Sequence, residues 1–217
     1  MHILSALASV SVVVVLLAAN AEGSQRELEA KQVQARKTLE AKRDAAIAQA
    51  SAEFRDTHKG DEKWQTSLGK QKLTTYALQQ ALMRPDGQAI VASVSVVDVA
   101  KEGNVFRLRL LAPSLVGGSL YKQFLMFDLK CALADVNYDK LLSDPFTSNI
   151  LPNYLVAALI HEVKSTQRIL LSTETEMPFA TEFTATGECL GLKEIGSLRR
   201  SYDQKLSQVD PRGKPFR

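Results

Sequence analysis

Histidine, cysteine and aromatic residues are scarce in this 217-residue chain, and each shortage excludes a class of chemistry. Its three histidines, His2, His58 and His161, are scattered and form no ligand cluster. The nearest approach to a zinc-protease motif is His161-Glu162, but Ser165 holds the position where the second histidine must stand. His161 therefore reads as an ordinary structural histidine, and His58 as part of a linker. Cys131 and Cys189 form no C-x-x-C pair, so redox catalysis has no support. Aromatics are 6% of the chain, and those in the strands described below fall mostly on the apolar phase, which argues against stacking on nucleic-acid bases.

Other motifs fail for equally physical reasons. Asp135, Asn137 and Asp139 open like a calcium loop. The sixth position must be glycine for the bend and the twelfth an acidic bidentate ligand, and here they are Lys140 and Phe146. There is no G-x-S-x-G, phosphate loop or dinucleotide fingerprint. No catalytic residue, metal or cofactor is expected.

Residues 1–21 carry an apolar run followed by Ala19-Asn20-Ala21, an A-x-A cleavage pattern, just before Glu22. The expectation is a signal peptide cleaved after Ala21 and a periplasmic or secreted protein. The alternative is an uncleaved anchor, with the body still facing outside the cytoplasm; only then is membrane contact expected. In an oxidising compartment two solitary cysteines usually pair, so Cys131 and Cys189 are expected to form a disulfide worth about 4 kcal/mol on the chain-entropy model.

Residues 22–57 are rich in Ala, Glu, Lys, Arg and Gln, with seven basic and seven acidic side chains. Charge pairs at i,i+4 and a thin apolar stripe predict an exposed helix that spaces the domain or leans on a protein or cell-envelope partner. Its heptad is poor, which leaves a homo-oligomeric coiled coil as the lesser alternative. A second helix is expected from about Asp61 to Met83, weakened by Gly69, and Arg84-Pro85-Asp86-Gly87 ends it.

Residues 88–133 carry the strand signal on which the rest depends. Phe106, Leu108 and Leu110 alternate with Arg107 and Arg109; Leu125, Phe127, Leu129 and Cys131 alternate with Met126, Asp128 and Lys130. In the first strand Ile90, Ala92, Val94 and Val96 share a face. The phase then shifts to Val97 and Val99, as a β-bulge requires. A short helix is expected within residues 135–143. Residues 154–164 suit a strand better than a helix, with residues 167–174 returning as its hairpin partner and residues 181–195 as a final strand. Residues 197–217 read as a short helix and a basic tail.

The expected class is α+β: a long N-terminal helix, a second helix, a small curled antiparallel sheet or barrel, and a C-terminal helix. The order β-β-β-α-β-β resembles an OB-type barrel, in which the third and last strands are neighbours. The domains expected are 1–21, 22–57, 61–196 and 197–217. Arg107 and Arg109, on one outward face, are the candidate binding residues, suited to an anionic glycan, peptide or protein rather than nucleic acid. The chain thus reads as an exported, non-catalytic envelope protein that binds a protein or cell-wall partner. A small exported hydrolase with carboxylates assembled by the fold is the alternative.

Overall fold

The computed structural model describes residues 4–68, 73–103, 105–112, 123–134, 136–143, 153–169 and 179–209, with side chains in the first helix described from Arg26 onward. The chain divides into two compact units, Ala46–Arg199 and a smaller one made of Met1–Ala45 with Arg200–Arg217. The larger unit is α+β: a mixed five-stranded sheet with short helices.

The strands are β1 (Ile90–Glu102), β2 (Val105–Leu111), β3 (Gln123–Cys131), β4 (Tyr154–Ile169) and β5 (Phe179–Glu194). They close into a barrel in the order β1-β2-β3-β5-β4. The expectation of a wholly antiparallel sheet is corrected at one seam: β3 and β5 run parallel, from Gln123↔Thr181 to Lys130↔Glu188. A parallel pair needs a crossover, and here β4 and the helix α4 (Tyr138–Ser143) lie between the two strands in sequence.

Strand phase accounts for the interior. Ile90, Ala92, Val94, Leu108, Leu110, Leu125, Phe127, Leu129, Cys131, Val156, Ala158 and Ala185 are all wholly buried in one cluster. The pairing of β1 with β2 slips between Val96 and Asp98 and Val99 is brought in, as the phase change requires, but Val97, expected on the same apolar face, is left exposed by the bulge. Among the described residues, apolar side chains fill this closed interior.

The helical segment before the sheet departs from the single helix expected. Two helices form instead, α2 (Lys63–Leu68) and α3 (Thr75–Leu82), with Thr74 capping α3 through a 3.1 Å bond from Ala77 N–H. Gly69, the weakest helix former in the segment, directly follows α2. Trp64, Leu68, Leu78 and Leu82 join the barrel cluster, and Trp64 meets Phe127 edge-on at 6.3 Å. The Gln123 side-chain amide holds Leu73 at both its backbone N–H and its carbonyl, tying the residue before the α3 cap to the start of β3.

The first helix, α1, spans Leu4–His58. Its last turns belong to the larger unit, where Phe54 packs outside the barrel with Ala89, Val91, Leu155, Ala157 and Ile195. His58 is therefore not in a linker. It ends α1, its ring lies tilted at 41° to Phe54 with centroids 4.3 Å apart, and its Nδ1 donates to Phe54 O at 2.9 Å. The helix closes with Gly60 N–H on Arg55 O at 3.0 Å, and Lys59 takes the left-handed conformation, φ 50°. A β-carbon is strained there, so Lys59→Gly is expected to raise stability by about 0.5–1 kcal/mol in urea unfolding. Among the described residues, no helix is long and apolar enough to cross a membrane.

In the smaller unit, α1 carries the i,i+4 ion pairs Glu27–Lys31 at 2.8 Å and Arg36–Glu40 at 3.0 Å, and Arg43 reaches Asp203 at 3.7 Å. Asp203 lies on α5 (Gly196–Val209), which follows β5 directly.

The expected strand 167–174 is also corrected. Residues 167–169 continue β4, pairing as Gln167↔Thr181 through Ile169↔Phe179, and residues 170–174 lie outside the described part. The expected disulfide is absent: Cys131 and Cys189 are free, buried thiols on the neighbouring strands β3 and β5, and they are not at disulfide distance. Main-chain pairing already joins those strands along eight residue pairs, so the seam closes without a covalent staple.

A charged groove on the barrel wall

The polar phases of the strands make a charged outer wall. Register places Arg107 beside Lys130 and Arg109 beside Asp128 across β2 and β3, then Lys130 beside Glu188 and Asp128 beside Thr186 across β3 and β5. A groove of about 390 Å³ lies there, lined by Glu102, Arg107, Asp128, Lys130, His161, Thr186, Gly187 and Glu188.

Both candidate arginines lie on this wall, and both are engaged by carboxylates. Arg107 grips Asp128 with two bonds, Nε to Oδ1 at 2.6 Å and Nη2 to Oδ2 at 2.5 Å, and lies 3.5 Å from Glu102. Arg109 donates to Glu182 Oε1 at 2.9 Å. The expected cationic face is thus neutralised by its own neighbours, and the geometry does not leave the two guanidinium groups open for an anion.

The hydrogen bonds from Arg107 hold the Asp128 carboxyl below its ordinary range, against a partial desolvation, and Asp128 in turn stabilises the charged guanidinium. A depressed carboxylate stabilises the fold above its unfolded pKa, and that contribution disappears as the pH falls through the folded value. Asp128→Asn is expected to lower stability by ~0.5–1 kcal/mol at neutral pH. The gap between the two proteins should close on acidification from about pH 4 downwards, measured by urea unfolding across pH.

His161 is not a core histidine. It is exposed on β4, with Nε2 3.6 Å from Glu188 Oε1. Lys130, exposed on β3, makes no ion pair among the described residues. Neither Asp128, Lys130, Glu182 nor Glu188 stood out in sequence, although all four fall on the polar phase of their strands. The missing information was the parallel sense and the register of the β3–β5 seam.

The cysteine pair lies on the other side of the sheet. The Cys131 thiol is pushed well above the usual range by its hydrogen bond with the Cys189 thiol and by burial. Among the described residues no cluster of three His, Cys, Asp or Glu side chains could hold a metal ion.

No family model matches this chain, and neither a curated protein nor a solved structure matches it. The class of fold and the wall's own chemistry are therefore the basis for function.

Proposed function

We propose that this is an exported, non-catalytic envelope protein that works as a binding or assembly module, built on a barrel of OB type. The order β1-β2-β3-β5-β4, the parallel β3–β5 seam and a helix between β3 and β4 support that fold assignment. The observation that carries the functional reading is the closed, side-chain-filled interior, which leaves only outer surfaces to act. A glycosidase of the two-carboxylate type needs one carboxylic acid kept protonated near neutral pH. In the groove, Arg107 pushes Asp128 the opposite way.

The partner surface in this reading is the exposed part of α1, where Leu28 and Val33 are 57% and 52% accessible. The A-x-A pattern at Ala19-Asn20-Ala21 supports export.

The test is chemical crosslinking in the native envelope, comparing the full chain with one lacking residues 24–45. That deletion spares Phe54 and the barrel cover it belongs to. A discrete adduct lost with the deletion is expected, and intact mass should show an N-terminus at Glu22. An unprocessed chain confined to the cytoplasm overturns export; identical adducts from both chains overturn the helix as the partner surface.

A further inference from the structure

We propose that the groove is a site for a small zwitterion of the α-amino-acid class, its carboxylate on Lys130 and its ammonium on Glu188. Four features of the wall point there. Lys130 stands directly opposite Arg107 in an antiparallel pair, a like-charge neighbour that costs stability and that the fold does not require. Such local violations concentrate at functional sites. Arg107 does not share its charge with a ligand, because Asp128 and Glu102 occupy it.

Lys130 and Glu188 are register neighbours of opposite sign, yet no ion pair closes between them. The Glu188 carboxylate turns instead towards His161 Nε2, 3.6 Å away and beyond a hydrogen bond. One unspent cation and one weakly engaged anion are thus presented on adjacent strands, about 4.8 Å apart at the backbone. They face a concavity of about 390 Å³ that also holds the Thr186 side chain. That volume suits a small ligand.

The charge count selects the ligand. With His161 neutral, the lining carries +2 from Arg107 and Lys130 and −3 from Glu102, Asp128 and Glu188, a net of 2 − 3 = −1. A plain anion meets three carboxylates, and a plain cation meets two bases. A molecule with an ammonium and a carboxylate on one carbon satisfies both open groups at once. The site depends on neither export nor the α1 surface. Loss of the envelope crosslink leaves it standing, and failure here leaves the crosslink standing.

The experiment is an NMR shift titration of the full chain with L-alanine, N-acetyl-L-alanine and L-alaninamide, the last two each lacking one charge. Alanine is expected to give saturable shifts at residues 128–130 and 186–188, with a Kd on the order of 1 mM. The two single-charge probes should bind at least about tenfold more weakly, as should alanine to Lys130→Met and to Glu188→Gln. Both side chains are exposed, so the variants are expected to fold. The double variant K130E/E188K reverses the pair and should recover alanine binding. Three results overturn the proposal: no saturable shift up to about 100 mM, equal binding of the three probes, or undiminished binding by both single variants.

Discussion

Replacing Gly187 with alanine is expected to cost about 3 kcal/mol or more and to leave the barrel largely unfolded at modest urea concentrations. An added β-carbon would lie 1.9 Å from the Leu159 carbonyl oxygen, 2.9 Å from its carbonyl carbon and 3.0 Å from Ile160 Cα. All three are backbone atoms of β4, at the point where its register against β5 slips between Ile160 and Glu162. A side chain in the way could rotate; a paired strand cannot move without losing its ladder. Gly191→Ala provides the contrast. There the added carbon meets the His58 ring, 2.1 Å from Nε2, and that ring is the end of a side chain. A loss of ~1 kcal/mol is expected, largely recovered when His58→Ala is added. Equal costs at the two glycines in urea unfolding would contradict this account of the β4 irregularity.

Phe127→Ala should be the most damaging large-to-small change, at about 3–5 kcal/mol. Phe127 is among the largest side chains with no accessible surface, and its edge contact with Trp64 ties α2 to the interior. The truncation removes that contact and leaves a void inside a closed wall, where the neighbours have little freedom to collapse. Against a total of about 5–15 kcal/mol for a domain, such a loss consumes much of the margin. Phe127→Leu keeps most of the volume and is expected to cost less than about 1.5 kcal/mol. Matched urea curves for the two variants, with unchanged slopes, would check both values.

What was legible in the sequence was phase. Alternation in residues 105–111 and 123–131 placed Leu108, Leu110, Phe127 and Leu129 inside and Arg107 and Lys130 outside, but it put Met126, which is buried, on the outer phase. The bulge after Val96 was legible for the same reason, since slipping one residue moves every later side chain to the other face. Pairing was harder to read. Residues 167–169 resemble a returning strand by composition but continue β4, because only register against residues 179–181 decides the matter. The parallel sense of the β3–β5 seam has no local signature at all. The groove was invisible for that reason. Arg107 and Arg109 announced a cationic face, whereas the carboxylates that neutralise them arrive from β3 and from β5, 21 and 73 residues further along the chain. Tertiary closeness also misled the reading of His58, whose packing depends on a glycine in the last strand.

The central claim is that the protein acts by holding a partner on an outer surface. The most direct test places a photoactivatable crosslinking residue at Leu28, at Val33 and, as a control on the larger unit, at Tyr76, which is 71% accessible. Irradiation is carried out in intact cells. The account predicts one discrete, identical adduct from the two α1 positions and none of that mass from Tyr76. Absence of any adduct at Leu28 and Val33, together with turnover of an envelope substrate by the purified protein, would contradict it.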